Sequence, residues 1–161
     1  FAFTGHESSG KTTVAKAFAE EINGFWVEEY AREYLQSKSS YKQIDLDRIA
    51  RVQQNKWDSG GKILVADTEM TVLKIWSEFR FKSCSEFIEQ AYQNQLFDHY
   101  FLCKPDIPWV HDPLRENPND RDVLFELYLN ELIKMKRPYT VLEGALETRF
   151  TVCKNVLSSL R

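Results

Sequence analysis

The sequence predicts a three-layer α/β protein: a five-stranded parallel sheet flanked by helices, with a small lid. Three observations predict it. Apolar runs of about five residues alternate with amphipathic stretches of ten or more, the pattern of strand–helix–strand units covered on both faces. The octet Gly5-His6-Glu7-Ser8-Ser9-Gly10-Lys11-Thr12 satisfies G-x-x-x-x-G-K-[ST] between an apolar run and an amphipathic stretch. A further apolar run, Ile63–Ala66, ends in an acid, Asp67.

The first strand is predicted over Phe1–Gly5. Because the chain opens inside this apolar run without a Met, the strand reads as truncated, and a missing preceding domain is one expectation. The octet then reads as a P-loop. Gly5 and Gly10 let the backbone curl so that N–H groups point at a polyphosphate. Glu7, Ser8, Ser9 and Thr13 complete the nucleotide cradle, Lys11 reaches the β/γ-phosphates, and the Thr12 hydroxyl ligates Mg²⁺. A helix over Lys11–Ile22 follows, with Val14, Phe18 and Ile22 on its buried face. Its N-terminus adds partial positive charge. The fold expected is therefore the three-layer P-loop NTPase fold, with ATP and Mg²⁺ as cofactors.

In such sheets ligands gather outside the carboxyl ends of the strands. The second strand, Gly24–Glu29, ends in Glu28, Glu29, Tyr30 and Arg32, which are candidate acceptor-binding residues. A carboxylate here suits a hydroxyl acceptor, with Arg32 to orient it; the alternative is a solvated helix start. Strand alternation turns one of Glu28 and Glu29 away from the site, and Glu29 is the preferred base. A helix is predicted over Asp45–Trp57. At its end Asn55-Lys56-Trp57-Asp58 spells the guanine-reading N-K-x-D. It lies before the third strand, where no guanine edge is in reach, and the glycine of D-x-x-G is replaced by Met70, so a GTPase is excluded.

The third strand, Ile63–Asp67, has the Walker B form, which places Asp67 on the Mg²⁺ with Thr12; a cap for the next helix is the alternative. Helices are expected over Met70–Phe79 and Ser83–Phe97, the second opened by a Ser83/Glu86 capping box. After the fourth strand, Tyr100–Lys104, the Pro- and Asn-rich run 106–121 reads as a lid. Its Arg115 and Arg121 are candidates to neutralise a transferring phosphoryl group. Trp109 either stacks on a flat acceptor ring or packs under the loop. A helix over Asp120–Lys136, a fifth strand over Tyr139–Glu143 and a helix over Thr148–Leu160 complete the chain. Between the last two, Gly144-Ala145-Leu146 is either a place for adenine or a plain turn.

Composition narrows the classes. A chain of 161 residues, 43% hydrophobic and 28% charged, suits one soluble domain over 1–161. Net charge of −3 without a basic run argues against nucleic acid as partner. No apolar run approaches bilayer length, so no membrane partner is expected. Three widely spaced cysteines without C-x-x-C pairs read as reduced thiols, and the expected location is cytoplasmic.

The motifs together resemble the nicotinamide riboside (ribosylnicotinamide) kinase domain of NadR-type proteins, within the P-loop kinase superfamily. The matching pieces are G-x-E-S-S-G-K-[ST] at Gly5–Thr12, E-Y-x-R-E at Glu29–Glu33 and D-T-[DE] at Asp67–Glu69. To these are added T-x-K-x-W-S-E at Thr71–Glu78, with one extra residue, and W-V-x-D-x-x-R at Trp109–Arg115. His6, Glu69 and Pro113 depart from the family's usual residues. The resemblance implies an ATP- and Mg²⁺-dependent kinase that converts nicotinamide riboside to nicotinamide mononucleotide in NAD synthesis. It also implies that Trp76, Trp109 and Asp112 join the acceptor site, and that a nucleotidyltransferase domain or partner accompanies the kinase. The alternatives are a kinase for another nucleoside or small alcohol, and a nucleotide-binding regulatory ATPase.

Overall fold

Five short parallel strands run side by side in the order β2-β3-β1-β4-β5: β1 (Ala2–Thr4), β2 (Phe25–Val27), β3 (Leu64–Asp67), β4 (Tyr100–Cys103) and β5 (Tyr139–Leu142). The computed structural model describes residues 1–58 and 61–160; residues 59, 60 and 161 lie outside the described residues. Among the described residues, seven helices connect and cover the strands: α1 (Lys11–Glu21), α2 (Tyr30–Leu35), α3 (Gln43–Asp58), α4 (Met70–Phe81), α5 (Glu86–Asn94), α6 (Arg121–Lys134) and α7 (Leu146–Leu160).

Strand alternation divides the core between the two faces. Phe3, Val65 and Phe101 pack with Val14, Phe18 and Cys153 beneath α1 and α7. Ala2, Tyr100 and Leu102 point the other way, onto Val72 and Ile75 of α4 and Leu124 and Leu132 of α6. A third cluster, built on Leu46, Ile49, Leu73 and Tyr92, joins α3, α4 and α5. Parallel strands buried on both faces need apolar residues throughout, which is why these runs do not alternate with polar ones. Burying Phe3, Phe18 and Phe101 completely stabilises the sheet by about 1.5–3 kcal/mol for each side chain. The sheet centre is thereby a rigid base for the loop that leaves β1.

The predicted strands and long helices are all present, with no end shifted by more than three residues. The polar stretch after β2 is helix from Tyr30, the helix start weighed there as the alternative, with Ala31 and Leu35, four residues apart, burying one face of α2. Two local readings differ. Helix α5 is capped by Ser85, whose hydroxyl accepts from the Ile88 N–H at 3.2 Å, so the Ser83/Glu86 box is not formed. The Ser83 hydroxyl instead lies against the Phe81 carbonyl at 3.4 Å. Helix α7 begins at Leu146, inside the expected Gly144–Leu146 turn.

Candidate active site

The P-loop is shaped by its neighbours as much as by its glycines. Gly5 has φ +126°, and a Cβ there would lie 2.7 Å from the Cys103 carbonyl oxygen, so β4 admits no side chain. The Lys11 ammonium and the Ser9 hydroxyl both donate to the His6 carbonyl, at 2.9 and 2.6 Å. Lys11 is thus folded along the loop and only 8% exposed. Thr12 and Thr13 stand exposed in the first turn of α1. Burial pushes His6 down to about 4, with Lys11 and Arg121 acting in the same direction, so its ring is neutral at physiological pH.

Behind the loop, Asp67 is fully buried at the end of β3, and neither carboxylate oxygen has a hydrogen-bond partner among the described residues. Burial pushes its acid up to about 6; the Glu29 charge adds to this, while the Lys11 ammonium opposes it. An orphaned carboxylate beside a P-loop threonine fits a hard, oxygen-seeking cation such as Mg²⁺, which needs few protein ligands when phosphates and water supply the rest. Among the described residues no three His, Cys, Asp or Glu cluster as a self-contained metal site. Glu69 takes the other role considered for an acid here. It caps α4 by accepting from the Thr71 N–H at 2.7 Å, and it also accepts from Gln95.

A cavity of about 410 Å³ opens between the P-loop, α2, α4 and the lid. Gly5, His6, Glu7 and Lys11 of the P-loop line it. Val72, Ile75, Trp76 and Phe79, at helical spacing, present one face of α4 as its wall. Of the acceptor-side and lid candidates, Glu29, Arg32, Trp76 and Arg115 line it. Glu28, Tyr30, Trp109, Asp112 and Arg121 do not. Glu28 is exposed, and the Tyr30 ring packs on Tyr34 with the Lys56 ammonium 4.9 Å from its centre. Asp112 pairs with Arg32 at 2.7 Å.

Trp109 adopts the second of its two expected arrangements, packing with the loop. Its ring sits 6.1 Å from His6, with the guanidinium groups of Arg115 and Arg121 at 5.9 and 5.7 Å. The lid meets the P-loop through Ser8: its hydroxyl accepts from the Val110 N–H at 3.1 Å and its carbonyl from Arg121 at 3.2 Å. Arg115 donates to the Val110 carbonyl at 2.5 Å. Both arginines therefore stand at the phosphate loop, where they can neutralise anionic oxygens.

Two residues of this site have no motif to announce them. The Tyr41 hydroxyl donates to Glu116 at 2.7 Å and accepts from the Trp76 indole N–H at 2.8 Å, joining the cavity wall to the lid. Tyr128 of α6, almost fully buried, reaches the same cavity. Burial raises the Glu7 acid to about 7, although the Glu116 N–H and Lys11 favour its charged form.

A P-loop at the end of a central parallel strand, an orphaned acid on the adjacent strand and a lid on the loop define the class: a P-loop nucleotide-binding protein. A sequence-family model described as an AAA domain matches residues 1–149, and the chain belongs to that family. No curated protein matches it by sequence. Among solved structures, NadR in complex with NR superposes with a TM-score of 0.80 at 20% identity, covering 98% of this chain and 50% of that one. NadR with NAD and AMP-PNP gives 0.72 at 21% identity, over 98% and 48% of the two chains. Deoxyadenosine kinase from M. mycoides gives 0.70 at 13% identity, over 98% of both. The chain thus spans about half the length of the NadR chains, and the likeness seen in the motifs holds at the level of the fold.

Proposed function

We propose that the chain is an ATP- and Mg²⁺-dependent kinase that phosphorylates a ribose hydroxyl of a small nucleoside. Nicotinamide riboside, giving nicotinamide mononucleotide for NAD synthesis, is the acceptor we favour. The observation that carries this reading is that one cavity is lined both by the phosphate loop and by groups suited to an organic acceptor. Lys11 and Gly5 stand at one end; Glu29, Arg32 and Trp76 stand beside them. Such a cavity next to the phosphate loop favours a transferase with an organic acceptor over a regulatory ATPase. The motif resemblance and the fold shared with NadR support this choice of acceptor.

The reaction is an in-line displacement. The acceptor hydroxyl oxygen forms a bond to the γ-phosphorus, the bond to the β,γ-bridging oxygen breaks, and ADP departs with that electron pair. Glu29 orients the hydroxyl and accepts its proton, late in a loose transition state. Lys11, Arg115 and Arg121 offset charge on the transferring group, and the lid excludes water. Thr12 and Asp67 would hold Mg²⁺, which screens the β- and γ-phosphate charge when bound.

A second reading, a deoxynucleoside acceptor, is favoured by the M. mycoides deoxyadenosine kinase likeness, which spans 98% of both chains. Incubation with γ-labelled ATP and a panel of ribo- and deoxyribonucleosides tests both. We expect label in the 5′-phosphate of nicotinamide riboside. Label in a deoxynucleotide selects the second reading. Release of inorganic phosphate with no labelled nucleoside would replace both by a regulatory ATPase.

A further inference from the structure

Arg149, on α7, is fully buried. Such a cation is costly to keep from water unless its donors are all met. Here every nitrogen is used. Nε donates to the Gly144 carbonyl at 2.9 Å, Nη1 to the Ser9 carbonyl at 2.6 Å, and Nη2 to the Lys104 carbonyl at 3.0 Å and the Asp106 carboxylate. Asp106 in turn accepts from the Gly144 N–H at 2.7 Å. Three segments that meet nowhere in the sequence converge on one planar fork: the P-loop, the run after β4 and the turn after β5. A second observation places the same segments together. A Cβ on Gly10 would lie 3.2 Å from Leu146 and 3.3 Å from Ile107, so the P-loop is seated directly against both. Neither Arg149 nor Gly144, Asp106 or Leu146 lines the acceptor cavity.

We infer that Arg149 is the positioning residue for the nucleotide side of the site, holding the P-loop backbone at Ser9 in register with the Gly144 turn. This rests on the nucleotide-binding part of the function proposed above. Packing alone would be served by an apolar side chain. A rigid five-donor fork instead fixes the relative position of three backbones, and a lysine, with a single point of donation, cannot reproduce it. The cradle of N–H groups that receives phosphate depends on where Ser9 sits, so loss of the fork should weaken nucleotide binding and leave the acceptor cavity alone.

Calorimetry on the whole chain with a non-hydrolysable ATP analogue, and separately with nicotinamide riboside, tests this. Arg149→Lys should lower analogue affinity about tenfold, and Arg149→Ala more, while acceptor affinity stays within about twofold. Millimolar guanidinium should restore part of the loss in Arg149→Ala, and urea should not. Should Arg149→Ala fail to fold, Asp106→Asn keeps the three carbonyl contacts and loses the ion pair; a smaller loss confined to the analogue is then expected. A folded Arg149→Lys with wild-type analogue affinity, or one that loses acceptor and analogue alike, overturns the inference. If wild-type protein binds no analogue, the nucleotide reading falls with it.

Discussion

The Glu7 carboxylate of the P-loop accepts a hydrogen bond from the Glu116 N–H of the lid at 3.0 Å, across 109 residues of sequence. The Glu116 side chain continues the connection through Tyr41 to Trp76 on the cavity wall. One chain of hydrogen bonds therefore spans lid, phosphate loop and cavity wall.

Lys11→Ala should abolish phosphoryl transfer with little loss of folding. The ammonium donates to the His6 carbonyl of its own loop, and Lys11 is not among the residues of the apolar clusters. A fall of at least about a hundredfold in turnover is expected for a group that meets developing charge. Turnover and circular dichroism should be measured on the same preparation. Normal turnover in the folded variant would end the P-loop reading.

Glu29, just past the end of β2, and Asp67, at the end of the neighbouring β3, should separate cleanly. Glu29 lines the cavity, so Glu29→Gln should reduce kcat/KM for the nucleoside and leave ATP binding nearly intact. Asp67→Asn should instead raise the Mg²⁺ concentration needed for half-maximal rate. The reverse pattern in steady-state kinetics would exchange their roles.

Asp67 also makes a prediction about stability. Its acid titrates near 3.8 when unfolded and near 6 in the fold, so the native state holds the extra proton between those values. Wild-type stability therefore falls as pH rises through that window and is level above it. The cost of ionising Asp67 in the fold is on the order of 3 kcal/mol, and Asn does not incur it. Asp67→Asn should melt several degrees higher than wild type at pH 8, at roughly 2–4 °C per kcal/mol, with the gap closing toward pH 4. Thermal scans across that range decide it; a gap that ignores pH would remove the buried charge as its cause.

Asp112→Asn should loosen the lid without unfolding the protein. The Arg32–Asp112 pair is partly exposed, so its loss should change global stability by less than about 1 kcal/mol. Amide exchange over residues 110–117 should nonetheless accelerate, and the KM for the acceptor should rise because Arg32 lines the cavity. Unchanged exchange in the variant would mean that the Ser8 and Glu7 contacts hold the lid unaided.

The sheet, its long helices and the P-loop were legible because each is written locally, in apolar runs, helical spacing and a glycine-framed octet. Helix α2 was legible only as an alternative, because its buried face consists of just Ala31 and Leu35 and its other residues are polar or aromatic. Ser83 and Ser85 offer equal cap chemistry, and contact of the Ser85 hydroxyl with Asp47 on another helix favours the second. Tyr41, Tyr128 and Arg149 acquire their roles through partners 35 to 140 residues away, or through packing alone. No window of sequence contains that information.

The placement of β1 at the centre of the sheet carries a consequence for how the chain comes off the ribosome. Three residues long, β1 hydrogen-bonds to β3 and β4, with Ala2 opposite Ala66 and Tyr100. The octet that follows is synthesised before either strand that flanks β1, yet it has nothing to rest on until residues through Cys103 have emerged and the long loops to β3 and β4 have closed. During that interval Phe1 and Phe3 are uncovered, and a nascent chain stalled before β4 would carry the whole phosphate-binding motif without its shape.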